Sequence, residues 1–245
     1  MRGWEPFLTE QDLAHQAALG TPGGNRPPSG FGKNPCVLVI DDYYSVVGLE
    51  REPILESIKT WPGSCGLEGW EAIDQTVGLL EAARKDNVPV IYCHSLEGFP
   101  APWSGRKANT GDRLAHLPEE IRRKANEIIE EIAPQPGELV IKKAAASVFW
   151  GTPLMFHLNY QGIDTILACG ETTSGCVRAS VIDGATYRFK MGVVEECCFD
   201  RTQASHWINL FDLHSKYADV VKKDEAIEYM DSFAAKSNVE ALATI

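Results

Sequence analysis

After residue 35 the chain alternates short apolar runs with longer amphipathic stretches. The runs are Cys36–Asp41, Val88–Cys93, Glu138–Lys142, Thr165–Cys169, Gly192–Glu195 and Ala218–Val221. They are short, continuous and rich in Val, Ile and Leu, the pattern of strands covered on both faces. Between them, stretches at about 70–86, 118–132, 152–160, 174–188 and 203–214 carry helical periodicity, and a last helix is expected over about 224–235. Strand–helix alternation of this kind means βαβ units and a parallel sheet. The expected fold is therefore α/β: a three-layer, Rossmann-like arrangement of a mostly parallel six-stranded sheet with helices on both faces. The segment 94–117 has no clear period and reads as a long excursion over the site.

Residues 1–35 read as an N-terminal arm, and 36–245 as the main domain. Thr9-Glu10-Gln11-Asp12 looks like a capping box before a short helix, Asp12 to about Leu19. The Gly/Pro-rich stretch Gly20–Gly30 is poor material for regular structure. Packing on a partner subunit and a loose terminus are both open to such an arm.

Composition narrows the function classes. With 245 residues, 44% hydrophobic, the chain is long enough for one large domain. A net charge of −11 argues against binding nucleic acid or anionic membrane, and it requires a local cationic pocket for any anionic substrate. No apolar stretch nears the roughly 20 residues that span a bilayer. The start, Met1-Arg2-Gly3-Trp4-Glu5-Pro6, lacks a signal-like apolar region. Seven cysteines, several inside strand-like runs, suit a reducing cytoplasm better than a disulfide framework. The adjacent pair Cys197-Cys198 reads as strand-end packing.

Three chemically useful residues stand at or just past strand ends: Asp41, Lys143 and Cys176. Ligands of open parallel sheets bind beyond those ends. Individually, such an Asp is usually a turn residue, such a Lys a solvated charge, and a free Cys a packing residue. Together they form a nucleophile, a proton acceptor and a cation that holds both charges. Cys176 lies in Gly170-Glu171-Thr172-Thr173-Ser174-Gly175-Cys176-Val177-Arg178, a strand-to-helix turn. A helix N-terminus there is expected to favour a thiolate and to bind an oxyanion.

In order and spacing, Cys36–Asp41, Lys143-Ala144-Ala145-Ala146-Ser147-Val148-Phe149 and Gly170–Val177 resemble the isochorismatase-like cysteine hydrolases. The likeness runs from about residue 31 to 222. It implies an Asp41–Lys143–Cys176 triad. The family's Lys-x-x-x-Ser-x-Phe spacing selects Lys143 over Lys142, whose side chains must point to opposite faces. Asp41, directly after the apolar run, matches better than Asp42. The resemblance also implies a cis Glu171–Thr172 bond, with Thr172 and Cys176 N–H groups as the oxyanion hole.

Within the family the residues around Phe149, Cys176 and Arg201 are most like N-carbamoylsarcosine amidases and their relatives. The activity implied is hydrolysis of a small linear amide or carbamoyl C–N bond through a Cys thioester, with release of ammonia. Maleamate-, biuret- and nicotinamide-type amidases and a non-catalytic scaffold are the alternatives. The ether-cleaving isochorismatases lack the nucleophilic Cys. The nicotinamidase branch holds a metal through an Asp and two His, a spacing that His94 and His116 do not offer. No metal or organic cofactor is implied, and the partner is a small-molecule substrate. A homo-oligomer, a tetramer by resemblance, is expected. Tyr43 and Tyr44 stand where the family often has other residues, so they are candidates to shape the pocket. Arg201 and Arg178 are candidates to hold a substrate carboxylate. Their alternatives are an ion pair with Asp200 and a helix-surface charge. Phe149 and Trp150 are candidate pocket walls, or core.

Overall fold

The computed structural model describes residues 2–96 and 114–243, with side chains as far as Phe233. The strands are β1 (Pro35–Ile40), β2 (Val90–Ser95), β3 (Leu139–Lys143), β4 (Thr165–Glu171), β5 (Lys190–Phe199) and β6 (Asp219–Val221). They form one six-stranded sheet in the order β3-β2-β1-β4-β5-β6, with every pairing parallel. The order reverses between β1 and its two neighbours, so a crevice opens at the carboxyl ends of β1 and β4.

Among the described residues eight α-helices accompany the sheet: α1 (Glu10–Ala18), α2 (Ile54–Ser57), α3 (Leu67–Lys85), α4 (Glu119–Ala125), α5 (Leu154–Tyr160), α6 (Arg178–Thr186), α7 (Gln203–Lys216) and α8 (Lys223–Ala243). Alternate strand residues feed two cores. Val37 and Val39 pack with Ile73, Leu79 and Leu80 of α3 and Met230 of α8. Leu38 and Ile40 pack with Leu154 and Leu158 of α5, Val181 of α6 and Leu210 and Leu213 of α7. The three layers expected from the alternation are therefore present.

Several bounds differ from the sequence pattern. The expected helix over 118–132 stops at Ala125, because Ile128 pairs with Tyr43 in an antiparallel bridge and Ile129 N–H donates to the Asp42 carbonyl. The last strand-like run before α7 is longer than expected, since buried Glu195 is neutralised by Lys222 and Arg2 and does not end the strand. The excursion expected over 94–117 falls largely on 97–113, outside the described residues.

The N-terminal segment lies on its own chain. The Trp4 ring is fully buried beside Phe211 and His214 of α7, and its indole N–H donates to the Gly23 carbonyl at 2.8 Å. Arg26 pairs with Asp219 at 3.0 Å, and Ser29 and Gly30 N–H groups donate to the same carboxylate.

Gly170 fixes how closely β4 approaches β1. Its φ is +109°, and a Cβ there would lie 2.1 Å from the Ile40 carbonyl oxygen. Gly170→Ala is expected to destabilise the fold by about 3 kcal/mol or more. That corresponds to a fall in melting temperature of roughly 6–12 °C for a domain of this size. Thermal unfolding of the variant checks it; an unchanged midpoint would show that β4 can retreat from β1.

Candidate active site

Asp41 ends β1 in the left-handed region, with φ 59°, its N–H donating to the Cys93 carbonyl at 2.9 Å. That conformation turns the chain out of the sheet and leaves the carboxylate at the crevice. On β3 the pleat alternates: Val140 and Lys142 face solvent, whereas Ile141 and Lys143 are buried. The Lys143 ammonium meets three acceptors. It lies 2.6 Å from Asp41 Oδ2, 3.2 Å from Cys176 Sγ and 3.3 Å from the Ala145 carbonyl. An ammonium has three donors, so this set satisfies it. The structure thus brings Asp41, Lys143 and Cys176 together from three strand ends.

Asp42 is excluded from that cluster. It is buried, neither of its carboxyl oxygens has a hydrogen-bond partner among the described residues, and burial, then Glu171 and Asp41, push its pKa well above the carboxylate range. Asp41 Oδ1 also lacks a hydrogen-bond partner among the described residues.

The thiol differs from the sequence-based expectation. Burial, then the Asp41 carboxylate, raise the Cys176 pKa to about 12 against the opposing pull of Lys143. The resting group is a thiol, not a thiolate. Burial pulls the Lys143 pKa down, but Asp41 and Cys176 outweigh it and the net shift is upward, so the lysine stays cationic. The other six cysteines are buried, and all seven are free.

Cys176 sits in a π-type turn, Thr173–Val177, before α6 becomes regular at Arg178. The Glu171–Thr172 bond that opens this turn is cis. Gly175 and Val177 N–H groups donate to the Thr172 carbonyl at 2.8 and 3.2 Å, and Ser174 N–H donates to Asp200 Oδ2 at 2.9 Å. Asp200 thus anchors the turn, a role with no local signal except its place after β5. Thr173 Oγ1 donates to the Phe199 carbonyl at 3.1 Å and lies 2.8 Å from His206 Nδ1. Its single proton being used, the network assigns the imidazole proton to Nδ1.

The expected substrate-binding residues fare unevenly. Arg201 is beside the turn, but its partner is not Asp200: Nη1 pairs with Glu171 Oε2 at 3.1 Å and reaches Thr172 Oγ1 at 3.3 Å, while Nε donates to the Gly63 carbonyl at 2.6 Å. From Arg201, Asp200 accepts the backbone N–H and not the guanidinium. Glu171 is buried, which raises its pKa, with Arg201 and Thr172 opposing. Arg178 points to α7, held by Asn209 at 3.0 Å and Asp212 at 3.4 Å. Phe149 is a core residue, not a wall, with its ring 5.6 Å from Tyr187 and 6.1 Å from Phe189. Trp150 is 71% exposed. Tyr43 is half-buried, its hydroxyl 3.4 Å from Ser95 Oγ. Among the described residues no group of three His, Cys, Asp or Glu side chains is placed to hold a metal ion.

Two buried histidines predict a loss of stability in acid. Burial lowers the pKa of His206 and of His214 from 6.5 to about 4. His214 Nδ1 accepts the Val220 N–H at 3.1 Å, a bond its protonation would break. A depressed folded-state value means stability present above pH 6.5 and lost as pH falls toward 4, by up to about 1.4 kcal/mol per pH unit for each group. Melting temperature should fall across that window, and His206→Asn, which does not titrate, should flatten part of the fall. A wild-type profile flat from pH 7 to 4 would contradict this.

A family model for the isochorismatase domain matches residues 64–225. The chain is 34% identical to a maleamate amidohydrolase of Pseudomonas putida, over 84% of this chain and 91% of that one. It is 32% identical to an N-carbamoylsarcosine amidase of an Arthrobacter species, over 83% of this chain and 74% of that one. Among solved structures, an N-carbamoylsarcosine amidase from Thermoplasma acidophilum superposes with a TM-score of 0.57 at 25% identity, covering 78% of this chain and 97% of that one. An isochorismatase family protein from Desulfovibrio vulgaris has a TM-score of 0.67 at 20% identity, covering 82% and 100%.

Proposed function

The chain belongs to the isochorismatase family, and on that premise we propose that it is a cysteine amidohydrolase acting on small linear amide or carbamoyl C–N bonds. The observation that supports this reading most is the single ammonium lying 2.6 Å from Asp41 Oδ2 and 3.2 Å from Cys176 Sγ. An N-carbamoylsarcosine-like compound is the reference substrate, and maleamate-, biuret- and nicotinamide-type amides are the other members of the class.

In this mechanism Asp41 takes the Cys176 proton as sulfur attacks the carbonyl carbon, Oδ1 being the oxygen without a partner. The thiol is neutral at rest, so deprotonation and attack are coupled. Thr172 and Cys176 N–H groups stabilise the oxyanion, since the Ser174, Gly175 and Val177 N–H groups are already engaged. The C–N bond breaks, the Asp41 proton passes to the departing nitrogen, and ammonia leaves. Water then gives its proton to Asp41 and attacks the thioester carbon. The acid is released and the thiol regains the proton. Lys143 keeps its charge throughout and holds both partners in register.

A panel of small amides with ammonia detection tests this. At least one linear amide should be turned over, and prolonged EDTA treatment should leave the rate unchanged, because no step uses a metal. Absence of ammonia from every amide, or chelator loss reversed by one divalent metal, would overturn the reading.

A further inference from the structure

Arg201 reaches the nucleophile turn at Thr172 Oγ1, and the chain supplies its counter-ion, Glu171. A guanidinium grips a carboxylate through one of two forks, Nε with Nη2 or Nη1 with Nη2. Here each fork has one arm taken, Nε by the Gly63 carbonyl and Nη1 by Glu171 and Thr172. Glu171 is bound from two sides, since Thr172 Oγ1 also donates to its Oε2 at 2.8 Å. The Glu171 side chain is 7% exposed, whereas the Arg201 side chain is 37% exposed. Among the described residues the charges also balance against an incoming anion. Lys143 is matched by Asp41, Arg201 by Glu171, and Asp200 adds a further buried carboxylate at the turn.

We propose that Glu171 disables Arg201 as an anion clamp and so reserves the site for uncharged amides. The inference rests on the amidohydrolase reading and narrows its substrate class to linear amides or carbamoyl compounds without a carboxylate, so N-carbamoylsarcosine and maleamate themselves drop out of that class. Glu171 acts through Arg201 and Thr172, so it is a positioning residue. Its ion pair also fixes the Thr172 side chain beside the proposed oxyanion donor.

The test compares two alkylating agents of nearly one shape, iodoacetamide and iodoacetate, at Cys176 of the full chain. The neutral reagent should be favoured over the anion at least about tenfold more than it is by free cysteine, as expected when an anion meets no available charged donor. Glu171→Gln keeps the acceptor for Thr172 and removes the counter-charge, and should cut that preference by about tenfold or more. A purely structural Glu171 would slow both reagents alike. The wild-type measurement decides the matter even if the variant fails to fold: a preference no greater than that of free cysteine overturns the proposal.

Turnover separates the inference from the reading beneath it. Malonamide should be hydrolysed in preference to malonamate, and succinamide in preference to succinamate. Faster turnover of the anionic members would overturn the inference and leave the amidohydrolase intact. Selective alkylation with no turnover of any amide would do the reverse.

Discussion

Cys176→Ser should abolish amide turnover, with a loss of about 10⁴-fold or more, while the protein stays folded. Removal of a covalent nucleophile is among the largest single effects known in hydrolases. The swap is nearly isosteric, so the melting temperature should move little, within about 1 kcal/mol. Quenching the wild-type reaction in acid should show an acyl adduct on the peptide containing Cys176, absent from the variant. Iodoacetamide should label Cys176 and spare the other six cysteines, which are buried. Its rate should climb as pH rises toward the thiol value of about 12, because alkylation uses the ionised sulfur. Retained activity in the Ser variant would remove Cys176 from the mechanism altogether.

The second large effect concerns two adjacent lysines. Lys143→Ala leaves Asp41 buried without its cation, which costs about 3–5 kcal/mol of stability. Turnover should fall at least about 10³-fold, in the range for losing a positioned acid–base partner. Lys142 is exposed on the other face of β3, so Lys142→Ala should change stability by less than about 0.5 kcal/mol and leave the rate near wild type. The double variant Asp41→Asn/Lys143→Met removes both charges; it should recover much of the lost stability and none of the activity. Equal losses from Lys142→Ala and Lys143→Ala would mean that β3 is placed in the wrong register.

The clustering of Asp41, Lys143 and Cys176 was legible in the sequence because each stands at or just past a strand whose apolar run announces itself. Strand alternation lets only one of Lys142 and Lys143 reach the site, and the Lys-x-x-x-Ser-x-Phe spacing of the resembled family picks Lys143. Asp41 and Asp42 are harder, since the strand ends at Ile40 and the left-handed turn at Asp41 decides which carboxylate reaches the lysine. Phe149 was ambiguous for a different reason. Its motif runs past the end of β3, and only the packing of Tyr187 and Phe189 makes it core. The partner of Arg201 was out of reach too: Glu171 lies thirty positions earlier, and the pairing exists because β4 and β5 are neighbours. Asp200, one residue away, was the natural local guess. The state of the thiol is the deepest gap, because a turn motif shows where a cysteine stands and not how much water has been excluded around it.

A thiol that stays protonated until substrate arrives has a further consequence. Peroxides oxidise the thiolate and scarcely touch the neutral group, so susceptibility follows thiolate character. With its proton held by burial and by Asp41, Cys176 is shielded from sulfenic acid formation between turnovers. The remaining cysteines are buried in the sheet and its flanks, also with raised pKa values. If Cys176 is the nucleophile, activity should therefore survive storage in air without added reductant, and a rapid loss reversed by dithiothreitol would contradict it.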